Sequence, residues 1–169
     1  MGAELLVIVV LPVLLALAAG WDLASFTIPN QLQLALLAAF LVFIFACHLT
    51  PGEMGGHLLA GFLGLAFGFT LFALGYIGGG DAKLFAVIAL WLGFHDLPSF
   101  ALIASLMGGG LTLGLLGLRR VPLPGVLARQ AWLLHLHDER SGIPYGVALA
   151  AGAFFVLPQT EIFRLAAGV

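Results

Sequence analysis

Residues 57–94 read HLLAGFLGLAFGFTLFALGYIGGGDAKLFAVIALWLGF, which is two apolar stretches joined by the run Gly78-Gly79-Gly80-Asp81-Ala82-Lys83. The flanking stretches consist mostly of Leu, Phe, Ala, Ile and Val, as membrane-spanning helices do. A charged side chain between two such helices is energetically costly, so it needs a structural or chemical reason. This segment therefore predicts two helices in a membrane, joined by a glycine-rich turn that carries an aspartate and a lysine.

The whole chain has the composition of an integral membrane protein. Of its 169 residues, 62% are hydrophobic and 8% are charged, and the mean hydropathy is +1.17. Soluble domains contain roughly 25% charged residues. The net charge of -2 and the lack of a basic run indicate that nucleic acid is not a partner. The single cysteine, Cys47, excludes an internal disulfide and a cysteine-rich zinc site.

Six apolar segments are predicted to cross the membrane, at about 20 residues per crossing with tolerance for tilt. They are approximately residues 4–20, 31–47, 57–77, 83–94, 100–118 and 143–158. Polar turns are expected at 22–30 and 95–99, and a longer loop at 119–142. Because no domain boundary is visible, residues 1–169 are predicted to form one all-α transmembrane domain, a bundle of about six helices.

The first segment is expected to be a span rather than a cleaved signal peptide. A signal peptide begins with a basic region, whereas Met1-Gly2-Ala3-Glu4 contains an acid and no Lys or Arg. Gly64 with Gly68, and Gly110 with Gly114, are four residues apart and are expected to let helices approach closely in lipid. Asp96, in the predicted 95–99 turn, is expected to be solvated.

The basic residues predict the orientation. Four of the six Lys and Arg residues fall in the 119–142 loop, namely Arg119, Arg120, Arg129 and Arg140. Loops rich in Lys and Arg stay in the cytoplasm. Alternation of the spans then puts Asp22, at the end of the first segment, on the same cytoplasmic face as Asp81. The sequence thus predicts that the two carboxylates are able to meet.

Two carboxylates that share a site cannot both ionise easily, so one holds a proton while the other is charged. The ionised group can take a proton from water as the water attacks a peptide carbonyl, and the protonated group can donate to the carbonyl oxygen. Such hydrolysis needs no metal and no cofactor. Asp81 is assigned as the base because the start of a helix favours a negative charge, and Asp22 is assigned as the acid.

Each of these residues also has a purely structural interpretation. Asp81 is equally explained as a helix cap after the glycine run, and Asp22 as an interfacial residue at a helix end. Gly78, Gly79 and Gly80 are expected to adopt left-handed or strained backbone angles and to admit another backbone closely. Lys83 is expected to be a snorkelling anchor or a partner of Asp81.

Three motifs in this order carry a family resemblance. They are Asp22 followed by Ile28-Pro29-Asn30, then Gly78-Gly79-Gly80-Asp81-Ala82-Lys83-Leu84, then Ile143-Pro144-Tyr145-Gly146-Val147-Ala148 with Gly152. The pattern resembles that of the type IV prepilin leader peptidases, membrane aspartyl proteases with a Gly-x-Gly-Asp signature. The last motif looks like the final span of the short members from tight-adherence pilus systems.

The resemblance implies cleavage of the N-terminal leader of type IV prepilins or pseudopilins, in type IV pilus assembly or protein secretion. Cleavage would take place at the cytoplasmic face of a prokaryotic inner membrane. It implies that Asp22 and Asp81 are catalytic. The residues expected to shape the site or bind substrate are Gly78, Gly79, Gly80, Lys83, Pro29, Asn30, Pro144, Tyr145 and Gly146.

Long members of the family carry an N-terminal region with four zinc-binding cysteines and also methylate the new N-terminus. From the length of this chain and its one cysteine, peptidase activity without N-methyltransferase activity is expected, with a precursor protein and membrane lipid as partners. The alternative is a non-enzymatic transporter, or an assembly subunit of a pilus or secretion system, with carboxylates in its core, because proton relays also use carboxylates within membranes.

Overall fold

The computed structural model describes residues 2–126 and 129–168, and the regular secondary structure among those residues is helical, with no strand. The predicted all-α fold is confirmed. The helices are α1 (Gly2–Leu5), α2 (Leu11–Ser25), α3 (Asn30–Cys47), α4 (Pro51–Ala73), α5 (Gly79–Arg119), α6 (Ala131–His137), α7 (Tyr145–Val156) and α8 (Glu161–Ala167). A π-helical turn, Leu6–Val10, joins α1 to α2, and a 3-10 turn, Leu157–Gln159, follows α7.

Within the described ranges, four helical segments are long and apolar enough to cross a membrane. These are Leu6–Ser25, Asn30–Cys47, Pro51–Ala73 and Gly79–Arg119. The pair Tyr145–Gln159 and Glu161–Ala167, bent by 57°, makes a fifth if it counts as one span. The chain is therefore a multi-pass membrane protein.

Helix α5 is a hairpin rather than a rod. A straight helix of 41 residues would be about 60 Å long, twice the hydrocarbon thickness of a bilayer. At Gly93 the backbone leaves the helical region, with φ 81° and ψ 174°. The rings of Phe85 and Phe100 lie 5.1 Å apart, which requires the chain to fold back. We call residues 79–92 the N-terminal arm and residues 94–119 the C-terminal arm, so the bundle has about six long segments.

Several helix boundaries differ from the sequence-based ones. The reversal between the fourth and fifth segments lies at Gly93, whereas the predicted 95–99 turn is helical. Helix α2 continues to Ser25, so Asp22 lies inside a helix rather than in a turn. Asp96 is buried, not solvated, and the Glu161 N–H donates to its Oδ2 at 3.4 Å. The boundaries were misplaced because a helix can continue through polar residues, and a hydropathy pattern ends each segment at those residues.

The 119–142 loop contains α6, and its residues 127 and 128 lie outside the described ranges. Residues 1 and 169 of the predicted single domain also lie outside them. The end of α5 is tied to the loop by Arg119. Its Nε donates to the carbonyl of Leu136 and its Nη2 to that of Gly142, each at 2.9 Å.

Helices α4 and α5 pack through glycines, which allow close approach of helices in lipid. A Cβ at Gly64 would lie 2.7 Å from the Cβ of Ala89, and one at Gly68 would lie 3.0 Å from the Cα of Ala82. The expected packing role of this glycine pair is confirmed. Gly110 and Gly114 have open space around them, so the corresponding expectation for that pair is wrong for this fold.

Helix α7 lies against α2 and α5 and connects them. It is short and apolar on all sides, as a helix buried in a bundle is. A Cβ at Gly152 would lie 2.9 Å from the Cα of Ala104 in the C-terminal arm of α5. At the start of α7, a Cβ at Gly146 would lie 2.9 Å from Ile28 Cδ1 and 3.1 Å from the Cβ of Asp22 in α2. This contact brings three distant parts of the sequence to one end of the bundle.

Candidate active site

Asp22 lies one turn from the end of α2 and is 3% exposed. Its Oδ2 accepts a hydrogen bond of 2.7 Å from the N–H of Gly146. That N–H is in the first turn of α7, where backbone donors have no partner within the helix. The carboxylate thus meets the donor end of a helix that is 124 residues away in the sequence.

Asp81 is the third residue of α5 and is 6% exposed. Its Oδ2 accepts from the N–H of Gly78 at 3.1 Å, so the predicted capping role is present. Its Oδ1 is also buried, and it has no hydrogen-bond partner among the described residues. A buried polar atom without a partner is uncommon, and such atoms often mark functional positions. One oxygen of Asp81 therefore caps the helix and the other is free for a ligand.

The structure brings the two carboxylates together. Both line one cavity of about 290 Å³. The cavity is lined by Asp22, Phe26, Thr27, Ile28, Asn30, Gly78, Gly79, Gly80, Asp81 and Lys83. Two acids beside each other in a cavity of this size have room for a water and a peptide bond.

The glycine run provides space rather than unusual backbone angles. Gly78 has φ -72° and ψ 154°, and Gly79 and Gly80 begin the helix. The expected left-handed geometry is therefore wrong here, and Gly75 in the preceding turn has the positive φ of 77°. A Cβ at Gly80 would lie 3.4 Å from the backbone N of Ile28. That is an ordinary contact distance, whereas a Cβ at Gly78 would lie 3.0 Å from Asp81 Oδ2, so the tightest fit in the run is at Gly78.

Lys83 lines the same cavity but does not pair with Asp81. Its Nζ donates to the Oδ1 of Asn30 at 3.1 Å. The bond connects the first residue of α3 to the first turns of α5. The Lys83–Asn30 pair therefore forms one rim of the cavity.

The other predicted site residues lie around this cavity in different roles. Pro29 and Pro144 are the residues that precede α3 and α7, so they set where those helices begin. Tyr145 faces the C-terminal arm of α5, where a Cβ at Gly108 would lie 3.4 Å from its ring. Gly146 touches Asp22 itself. Of this group, Gly146 alone forms a hydrogen bond to a carboxylate of the pair.

Sequence reasoning missed Gln33. It is 5% exposed on α3, and its Nε2 donates to the carbonyl of Gly80 at 3.1 Å. This bond anchors the glycine run to α3. Gln33 lies one helical turn after Asn30. Its position next to the Ile28-Pro29-Asn30 motif is the sequence signal that could have identified it.

The arrangement suits acid–base hydrolysis. Asp81 Oδ1 can accept a proton from water, and Asp22 can hold a proton on the oxygen that does not face Gly146. Among residues 2–126 and 129–168, no cluster of three or more His, Cys, Asp or Glu side chains forms a candidate metal site. Asp22 and Asp81 are the carboxylates that line the cavity, together with the amine of Lys83, and a carboxylate pair can supply an acid and a base at a peptide bond.

Residues 9–113 match the type IV leader peptidase family. The chain is 35% identical over 156 residues to the prepilin leader peptidase/N-methyltransferase of Bacillus subtilis (strain 168), covering 89% of this chain and 54% of that protein. It is 32% identical over 142 residues to the protein of the same name from Aeromonas salmonicida (strain A449), covering 80% and 43% respectively. No solved structure matches the chain.

A third relative, the prepilin leader peptidase/N-methyltransferase of Pectobacterium carotovorum subsp. carotovorum, is 35% identical over 120 residues, covering 66% of this chain and 42% of that protein. The chain thus spans about half the length of the curated relatives it matches.

Proposed function

The chain belongs to the type IV leader peptidase family, and we propose that it is a membrane aspartyl endopeptidase that removes the N-terminal leader of type IV prepilins or pseudopilins. The observation that supports this most directly is the meeting of Asp22 and Asp81 in one cavity at the end of the bundle. Both carboxylates are more than nine-tenths buried. Helix capping explains one oxygen of Asp81 and leaves the other free.

In the proposed reaction Asp81 is the base and Asp22 the acid. Asp81 Oδ1 takes a proton from water, and the resulting hydroxide attacks the carbonyl carbon of the scissile bond. Asp22 donates its proton to the carbonyl oxygen, which gives a neutral tetrahedral intermediate. When the C–N bond breaks, the leaving nitrogen takes up the proton held by Asp81 and the intermediate returns one to Asp22. The residues finish as they began, with one water consumed.

The substrate is proposed from the relatives, which are named prepilin leader peptidases. We propose that the cavity faces the cytoplasm from a prokaryotic inner membrane. Lys83 and Arg119 support this orientation, because both lie at the cavity end of the bundle and basic residues favour the cytoplasmic side.

The test is cleavage of a prepilin that carries its leader, followed by mass spectrometry, for the parent protein, Asp22→Asn and Asp81→Asn. Loss of a positioned acid or base is expected to reduce the rate by about 10²–10⁴-fold in each variant. Asp96→Asn is the matched control, since Asp96 is a buried aspartate outside the cavity, and it is expected to cleave at the parent rate.

Cleavage retained in either cavity variant would contradict the two-carboxylate mechanism. If the parent protein cleaves none of several prepilins, the non-enzymatic alternative of a transporter or assembly subunit takes its place. Methyl transfer is a separate question, because the relatives are named for both activities. We propose that this chain cleaves without methylating, and the mass of the product N-terminus, with a methyl donor supplied, tests that statement directly.

A further inference from the structure

A second cavity reaches Asp81 from the side of the bundle. It is an apolar groove of about 510 Å³ between α4, the two arms of α5 and α7, and Asp81 lies in its wall. We call it the α4–α5 groove. From the C-terminal arm it is lined by Leu113, by Ala104 and by the small residues Ser105, Gly108, Gly109 and Thr112. The spacing of the last four puts them on one face of the helix. Apart from Leu113 this lining is small, as helix faces that receive another helix in a membrane are.

The polar atoms of this face are already satisfied. Ser105 Oγ donates to the carbonyl of Ala101, and Thr112 Oγ1 donates to that of Gly108, each at 2.7 Å. The groove therefore offers an apolar surface to an occupant. The exception is Asp81, whose buried Oδ1 has no partner among the described residues. The groove residue whose buried oxygen lacks a partner is thus a proposed catalytic residue.

The groove extends from Asp81 into the bundle along the α5 hairpin. Its lining includes Thr112 near the cavity end and Ala104 deeper in the bundle. Eight residues of helix separate these two, which is a depth of about 12 Å, or two helical turns. A peptide at that depth satisfies its backbone N–H and C=O groups only as a helix, because no water is available to them.

We propose that the segment after the scissile bond of the substrate precursor is an apolar helix and that the α4–α5 groove binds it. This rests on the proposed function, because it takes the bond at Asp81 as the one that is cut. The apolar helix lies against Ser105, Gly108, Gly109 and Thr112, and the leader passes out through the 290 Å³ cavity. Asp81 lines both cavities and so lies at their junction.

Another apolar groove, of about 600 Å³, lies between α3, α4 and the N-terminal arm of α5. It reaches the cavity through Asn30 and Lys83, which are bonded to each other. Asp81 is not part of its lining. The α4–α5 groove has direct access to the carboxylate, and for that reason we assign the substrate helix to it.

The test is photo-crosslinking in membranes with a photoreactive benzoylphenylalanine at position 109, 110 or 34, in the Asp22→Asn protein so that the precursor stays intact. Gly109 lines the α4–α5 groove, its neighbour Gly110 does not, and Leu34 lines the other groove. Gly109 and Gly110 both have open space around them, so the substitutions are matched. Cross-linking to the apolar helix of a prepilin is expected from position 109 and not from 110 or 34.

A second measurement uses side chains that fill the groove. Gly109→Leu places a large side chain in it, and the crowding is expected to lower kcat/KM for the membrane-embedded precursor about tenfold. Gly110→Leu is the control, because it makes the same substitution one residue away and raises helix propensity by the same amount. The Gly110→Leu protein is expected to cleave at the parent rate.

The proposal is overturned if position 109 cross-links only to lipid or to a second copy of this chain, if position 34 is the one that captures the precursor, or if Gly109→Leu cleaves as fast as Gly110→Leu. Its failure differs from that of the proposed function. If the parent protein cleaves the precursor but position 109 gives no cross-link, the peptidase function stands and the groove proposal fails. If position 109 cross-links but the parent protein does not cleave, the groove binds the helix and the peptidase function fails.

Discussion

At the level of single residues, the position of the Asp22 carboxylate depends on the N–H of Gly146. The bond is 2.7 Å long and lies in a buried part of the bundle. There is no room at Gly146 for a side chain, because a Cβ would lie 2.8 Å from Asp22 Oδ2 and 2.9 Å from Ile28 Cδ1. This glycine therefore sets the distance between α7 and α2 at the site.

Gly146→Ala is expected to move α7 away from Asp22 and so to impair the reaction more than the fold. Crowding a packed position costs about 1–3 kcal/mol, and about 1.4 kcal/mol in a barrier corresponds to tenfold in rate. We expect kcat/KM for prepilin cleavage to fall at least tenfold. Gly142→Ala is the control, since a Cβ there meets nothing within 4 Å. Equal rates for the two variants would contradict this role of Gly146.

Among the elements, the α5 hairpin has the largest effect on the site. Its N-terminal arm carries Asp81, and its C-terminal arm supports α7, which carries Gly146. The reversal depends on Gly93, whose φ of 81° and ψ of 174° are accessible to glycine and to almost no other residue. The hairpin thus connects the two sides of the carboxylate pair through one backbone position.

Gly93→Ala is expected to destabilise the protein by about 1–3 kcal/mol, because alanine is strained at those angles. A Cβ there would also lie 3.3 Å from the ring of His57. Gly110→Ala, in the helical part of the C-terminal arm with open space around it, is expected to leave stability unchanged or slightly raised. Thermal unfolding in detergent, followed by circular dichroism, compares them. A midpoint for Gly93→Ala at or above that of the control would be inconsistent with a strained reversal.

Arg119 connects the end of α5 to the segment that leads into α7, through the carbonyls of Leu136 and Gly142. Arg119→Met would remove the donor from both carbonyls, and the loss at the buried Leu136 carbonyl is expected to cost about 1–3 kcal/mol. We expect a lower unfolding midpoint and reduced cleavage. Arg120→Met, which changes the exposed neighbour, is expected to behave as the parent. A shared midpoint for both variants would show that the Arg119 bonds do not stabilise the fold.

At the level of the whole molecule, the proposed orientation puts residue 142 in the cytoplasm and residue 52 on the other side. Both are exposed glycines, and Cys47 is the one cysteine to be replaced beforehand. Gly52→Cys is expected to react with a membrane-impermeant maleimide in spheroplasts, and Gly142→Cys to react in inverted vesicles. The reverse labelling pattern would place the cavity outside and exclude cleavage at the cytoplasmic face.

The sequence alone indicated the membrane environment, the fold class and the family, and it predicted the two aspartates as the site residues. These depend on composition, on hydropathy over about 20 residues and on short motifs, all of which are local properties. The boundary at 95–99 was wrong because a reversal inside a continuous apolar stretch has no hydropathy signal.

Only the tertiary structure decided which groups surround the two carboxylates. The bond from Gly146 to Asp22 spans 124 residues and the bond from Gln33 to Gly80 spans 47. Such contacts arise from helix packing at glycines, where the close approach depends on both partners at once. Span parity allowed Asp22 and Asp81 to share a face, and the packing of α7 between α2 and α5 brought them into one cavity.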